Sequence, residues 1–210
     1  MQHEPGAPVL AAELVALPVV APVNADKGRL PAAMLKLTAA VLVAWAGYEG
    51  FSAVPYVPTK GDRPTIGNGA THYEDGRPVT MADPPITRQR AAELTLNLLE
   101  QQYAVCTRKA LGETPAHQVE FERAVDFAGQ YGCSAWANSQ MVQRMRAGDY
   151  YGACQAYVAY RFITDDKGGP GWVQYKPGRW KYDCATPGNR VCRGVWARQL
   201  DRYVACMAVQ

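Results

Sequence analysis

The 210-residue chain has only three histidines, and none of its six cysteines forms a CxxC pair or stands near a histidine at zinc-ligand spacing. A metal site is therefore not expected, and no other cofactor is implied. There is no glycine-rich phosphate-binding fingerprint, which argues against a nucleotide-binding fold. No internal repeat or low-complexity tract occurs either, so solenoids, propellers and disordered arrays are set aside. Net charge is small, at +3, and no apolar run is both long and strong enough to be read simply as a membrane span.

What is present is an ordinary globular composition, 48% hydrophobic and 20% charged, in a chain long enough for one core or two small lobes. Positive charge gathers late: nine Lys/Arg against four Asp lie between Arg161 and Arg202. Such a patch suits a polyanion, but no nucleic-acid-binding motif accompanies it, so nucleic acid is not an expected partner. Cys106, Cys133, Cys154, Cys184, Cys192 and Cys206 make an even set without redox or metal spacing. Three disulfides in an oxidising compartment are expected, with fifteen complete pairings open to the sequence alone.

Residues 1–29, rich in Ala, Val and Pro, read as a flexible N-terminal segment. Leu30 to Tyr48 carries few polar side chains apart from Lys36 and Thr38 and reads as a weakly hydrophobic helix. It suits either a buried core helix or a weak membrane anchor. A helix is expected from Ile86 to about Cys106 with Thr87 as N-cap, and another from about Pro115 to Tyr131 ended by Gly129 or Gly132. Ser139 and Asp149 each begin a further helix. Thr164 to Arg190 clusters glycine and proline and reads as a long surface excursion, where Cys184 and Cys192 are close enough to close a small loop. The last helix, Gly194 to Met207, is expected to turn Trp196, Leu200, Tyr203 and Met207 inward.

Chemistry concentrates in Tyr48 to Thr71, YEGFSAVPYVPTKGDRPTIGNGAT, which reads as a helix end followed by an irregular β-hairpin. Glu49 stands at the helix end, Asp62 beside the hairpin turn and Thr65 on the return strand. Two carboxylates on different elements across a short gap are what cleavage of a sugar acetal needs. Glu49 is flanked by Trp45, Tyr48 and Phe51, and the negative end of a helix dipole also disfavours its ionised form. A raised pKa suits a general acid. Taken alone, Glu49 could equally be a solvated helix-end residue, and Asp62 a turn residue bonded to its own backbone.

The order of these pieces is more specific than any one of them: EG at a helix end, Tyr56 seven residues after Glu49, a glycine-containing turn, then TIG-x-G-x-T. Here the sequence resembles the phage-type lysozymes, the endolysin family, and the likeness continues through DFAGQYGCSAWANSQMVQRMRAGDYYGACQAY and CRGVWARQLDRYVAC. It implies an α+β, lysozyme-like fold: a small β-hairpin lobe and a larger helical lobe joined by a long helix. Residues 49–210 would form the catalytic domain. It implies a monomeric endolysin that cleaves the β-1,4 bond between N-acetylmuramic acid and N-acetylglucosamine in peptidoglycan and lyses the host cell. Glu49 matches the family's general acid and Thr65 the threonine that places the attacking water in an inverting reaction.

The sequence also departs from the family pattern. Pro58 occupies the place, nine residues after the glutamate, where the family carries Asp or Cys; Ala70 replaces a frequent His; and the spacing from Tyr56 to Thr65 is one residue longer. Asp62, the only carboxylate left in the hairpin, takes the second-acid role on chemical grounds. A catalytically impaired wall-binding module of the same fold, or a secreted disulfide-linked adhesion or inhibitor domain, are the competing readings. Some family members carry a signal-arrest-release segment, which implies export through residues 30–48, transient tethering at the inner membrane and action in the periplasm. Some also carry cysteines where Cys154 and Cys206 stand, which implies that pair, then Cys184 with Cys192 and Cys106 with Cys133.

Overall fold

The computed structural model of the chain describes residues 28–38, 41, 45, 50–58 and 61–210. Its elements run β1 (Leu30–Pro31), a 3-10 turn (Ala32–Met34), β2 (Ser52–Tyr56), β3 (Thr65–Gly67), α1 (Arg88–Leu98), a π-helical segment (Leu99–Ala104) and α2 (Val105–Leu111). There follow β4 (Pro115–Ala116), α3 (Gln118–Tyr131), α4 (Cys133–Ala137), α5 (Gln140–Arg146), α6 (Tyr150–Ala156) and a 3-10 turn (Tyr157–Tyr160). The chain closes with β5 (Phe162–Asp165), β6 (Val173–Lys176), β7 (Arg179–Asp183) and α7 (Arg193–Met207). This is the α+β lysozyme-like arrangement, with a hairpin lobe, a long connecting helix and a helical lobe.

Thr87 caps α1 by accepting a hydrogen bond from the Arg90 amide at 3.1 Å. The helical backbone then runs unbroken through the π segment to Leu111, five residues beyond the expected Cys106, and Gly112 ends it at φ +60°. The wider π turns fall where the rod passes from one lobe to the other. Before them Ala91 is buried under the hairpin and Leu94 joins the small cluster of Ile66, Ala70 and Val79; Leu99 and Ala104 within them and Leu111 beyond them join the main core. A shift of one residue in the buried stripe, from Leu98 to Leu99, is what a π turn supplies.

The main core surrounds α3, which buries Phe121, Val125 and Ala128 as its periodicity predicts, and also Glu120, Glu122 and Asp126. Phe127 packs against Tyr131, Trp136, Tyr157 and Tyr160, with ring centroids 4.6–6.0 Å apart. Disulfides join Cys106 to Cys133, Cys154 to Cys206 and Cys184 to Cys192. The family likeness implied Cys154 with Cys206, closeness in sequence suggested Cys184 with Cys192, and Cys106 with Cys133 were the two left over. Closing loops of 27, 52 and 8 residues removes denatured-state entropy equivalent to about 2–4 kcal/mol per bond.

Three expectations need correction. The helix expected from Leu30 is not helical at its start: β1 pairs with β4, and residues 35–38 have no regular secondary structure before helical backbone at Val41 and Trp45. Polar side chains hold this strap by its backbone, so no helical ladder is needed: Arg108 donates to the Leu35 carbonyl, Glu100 accepts from the Leu37 amide and Glu122 from the Thr38 amide. Arg29, expected in the flexible segment, is buried, with its guanidinium on Glu120 (2.8 Å), on Gln210 (2.9 Å) and over the Tyr150 ring (3.7 Å). The rest of the flexible-segment expectation, and most of the anchor, lie outside the described residues. Among the described residues no helix is long and apolar enough to cross a membrane.

The expected excursion from Thr164 to Arg190 contains an antiparallel sheet in the order β5-β7-β6. Its glycines and prolines sit in the connections, including Pro177-Gly178 with Gly178 at φ +67°, while the strands between them pair regularly. The third correction concerns α7. Trp196, Tyr203 and Met207 pack inward as expected, but Leu200 is exposed and the helix buries Arg198, Gln199, Arg202 and Cys206, because Asp126 on α3 offers the arginines a buried counter-charge.

Candidate active site

The hairpin pairs Ser52 with Gly67 and Tyr56 with Thr65, so β2 carries two more residues than β3 between the same pairs. The surplus is a bulge, which bends the strand toward its partner. Gly67 stands at φ +64°, and a Cβ there would fall 2.9 Å from that of Ala91, so β3 can lie against α1 only with glycine at this place. Beyond it Ile66 and Ala70 exchange backbone hydrogen bonds (2.9 and 3.0 Å), closing a tight loop around Asn68.

Asn68 is buried, and its Nδ2 donates to the Gly50 carbonyl at 2.5 Å. Gly50 lies at φ +74°, the left-handed conformation of a residue that ends a helix. The TIGNG turn thus fastens the residue that follows Glu49. Glu49 itself lies outside the described residues. Thr65 is buried at the start of β3, and its hydroxyl donates to the Arg63 carbonyl at 3.1 Å, an arrangement that leaves its oxygen able to accept from water. Asp62 is exposed beside Gly61 and makes no hydrogen bond or ion pair among the described residues.

From the helical lobe the same region is supported through Trp45. Its ring lies against Gly129, where a Cβ would come within 2.4 Å of it, and stands 6.3 Å from the Tyr103 ring and 4.9 Å from the Arg198 guanidinium. Arg198 and Arg202 both bind the Asp126 carboxylate, Arg198 at 2.7 Å and Arg202 at 2.5 Å. All three are buried. Burial by itself would raise the Asp126 pKa, but Arg202 and Arg198 outweigh it and hold the group below its usual range. Burial lowers the pKa of Arg202, against the pull of Asp126. The Asp126 carboxylate is thus shared by two guanidiniums, and that of Arg198 lies against the Trp45 ring.

A groove of about 240 Å³ runs between the small lobe and the connecting helix, lined by His72, Tyr73, Glu74, Asn97, Gln101 and Gln102 among others. Glu74 is fixed across it by Arg90 at 2.7 and 2.8 Å, which is the main cause that lowers its pKa. Amide side chains and the Tyr73 ring line this groove together.

Thr65 and Asp62 were expected from the sequence at this hairpin, whereas Asn68 and Arg198, which hold its surroundings, were not. Asn68 was visible as the residue between the two glycines of the TIG-x-G motif. Arg198 had a weaker signal: with Arg202 it forms an i, i+4 pair, which becomes informative only once Asp126 is known to face it.

The family model described as Phage lysozyme matches residues 46–174. Among solved structures, the chain is similar to an endolysin from Escherichia coli O157:H7 phage FAHEc1, with TM-score 0.61 and 24% identity over 83% of this chain and 94% of that one. It is also similar to a mutant of P22 lysozyme, with TM-score 0.60 and 20% identity over 83% and 99% of the two chains. A third is the muramidase domain of SpmX from Asticaccaulis excentricus, at 0.52 and 19% over 83% and 97%. At these identities the structural likeness concerns the fold. No sequence among curated proteins matches the chain.

Proposed function

The chain belongs to the phage lysozyme family and is a lysozyme-type glycosidase, and from that premise we propose that it is an endolysin cleaving the β-1,4 bond between N-acetylmuramic acid and N-acetylglucosamine, lysing the bacterial host. Glu49 protonates the leaving glycosidic oxygen. A water on the opposite face of the sugar, placed by Thr65, attacks the anomeric carbon as charge develops there, and Asp62 takes its proton. Such an inverting reaction needs the two carboxyl groups roughly 6.5–9.5 Å apart. The observation that carries this reading is the bond from Asn68 to the Gly50 carbonyl, which joins the residue after Glu49 to the turn that begins at Thr65.

Loss of turbidity of outer-membrane-permeabilised Gram-negative cells tests the assignment. Glu49→Gln should abolish lysis, Thr65→Ala and Asp62→Asn should reduce it, and equal lysis by wild type and Glu49→Gln would reject it. The mass of the released sugar separates hydrolysis from ring closure, which leaves a product lighter by one water. A catalytically impaired wall-binding module is the second reading, favoured by the exposed Pro58 and by the exposure of Asp62 without a partner. Binding to purified sacculi without lysis would support it.

We further propose that the protein works as a monomer in the periplasm after export through residues 30–48, first tethered to the inner membrane. In that scheme, docking of Arg29 and of the strap behind it belongs to the released form. Membrane fractionation with and without collapse of the proton-motive force tests this; protein that is soluble and active in the cytoplasm throughout would reject it.

A further inference from the structure

The sheet β5-β7-β6 has two unlike faces. Ile163 and Tyr182 pair across the first two strands and pack with Trp172, Val195 and Trp196 around the Cys184–Cys192 disulfide. The opposite face, set by the register Thr164–Lys181–Val173 and by Lys176–Arg179, carries Phe162, Val173, Lys176, Arg179 and Lys181. Phe162 is 39% and Val173 60% exposed, and Tyr175, at the bulge in β6, is 40% exposed. Lys181 Nζ lies 5.0 Å from the Phe162 ring centre and the Arg161 guanidinium 5.3 Å, so cations flank an exposed apolar ring.

Residues 161–193 hold seven Lys/Arg against three Asp, although the whole chain has a net charge of only +3. The positive charge of the protein is thus concentrated here. Asp183, on the same face, is bound by Arg161 at 3.1 Å, and Asp165 and Asp166 lie at the far end of β5.

We propose that this outer face docks on an anionic lipid bilayer, with Lys176, Arg179 and Lys181 on the headgroups and Phe162, Val173 and Tyr175 at the acyl boundary. Alternation of cations with exposed apolar side chains is the complement of a surface that is charged outside and oily just beneath. A soluble polyanion offers the cations as much but gives Val173 and Phe162 nothing to bury against. Single-stranded nucleic acid would use free aromatic faces for stacking, and the Phe162 ring is flanked by cations.

Flotation of the full chain with phosphatidylcholine vesicles, with and without phosphatidylglycerol, tests the proposal. Wild type should float with the anionic vesicles, and salt should reverse it. Triple charge reversal, Lys176→Glu with Arg179→Glu and Lys181→Glu, should weaken this binding on the order of 100-fold, and Phe162→Ser should weaken it less. Both variants should keep the wild-type urea midpoint and rate on purified sacculi, which contain no membrane. Binding to neutral vesicles alone would assign membrane affinity to residues 30–48 and overturn the proposal. So would unchanged flotation of the triple variant or of Phe162→Ser, or binding of duplex DNA in preference to vesicles.

Discussion

The two lobes support the candidate site by unlike means. The small lobe holds Gly50 through an uncharged amide on a glycine-rich turn, and the fit of that turn depends on the absence of a side chain at Gly67. The helical lobe holds Trp45 from a charged interior, where Asp126 gathers Arg198 and Arg202 from a helix more than seventy residues away. One support is steric and local, the other electrostatic and assembled by the fold. They should therefore fail under different conditions.

Removing the charge at the centre of the second support should have the largest effect. Asp126→Ala takes the buried carboxylate away from Arg198 and Arg202 and should cost about 3–5 kcal/mol of global stability, read as a fall in the urea midpoint. The same network gives the helical lobe a pH dependence. Because the folded-state pKa of Asp126 is depressed, its contribution is fully present above the unfolded value of about 3.9 and is lost as pH falls through the folded one. Urea midpoints measured on either side of that window should show an acid limb that is missing in Asp126→Asn.

Gly67→Ala comes next. It forces a Cβ into a left-handed backbone and against Ala91, which should cost about 2–3 kcal/mol. Hydrogen exchange should place the loss in β2, β3 and the start of α1, with α3 and α7 unchanged; uniform loss across both lobes would erase the distinction between them. Asn68→Ala removes one hydrogen bond and should cost only about 1 kcal/mol of stability. Because that bond positions the residue after Glu49, the rate on purified sacculi should fall by up to about 100-fold while the urea midpoint moves little. The smallest effect belongs to the face of α7 that looks apolar in sequence: Leu200→Gln, at a position 40% exposed, should change stability by less than about 0.5 kcal/mol.

These differences follow what could be read in advance. The Thr87 cap, the α3 stripe of Phe121, Val125 and Ala128, and the hairpin after Gly50 were all legible, because each rests on residues within a few positions of one another. The sheet around Trp180 was hidden by the glycines and prolines of its connections, and the strap from Arg29 to Thr38 by an apolar composition that suits a helix. Neither error came from a wrong propensity. In both, partners distant in sequence supplied the backbone with its hydrogen bonds: β7 lies between β5 and β6, and Arg108, Glu100 and Glu122 reach the strap from two helices.

The sequence by itself determined the TIGNG turn, because positive φ at Gly50 and Gly67 and the tight loop between Ile66 and Ala70 are demands that glycine meets locally. Tertiary structure alone decided that Arg198 and Arg202 are buried on α7 while Leu200 is exposed. Burying Arg198 and Arg202 is unfavourable for an isolated helix and becomes favourable only where α3 presents Asp126. No periodicity within α7 carries that information, because the compensating charge lies 72 and 76 residues away.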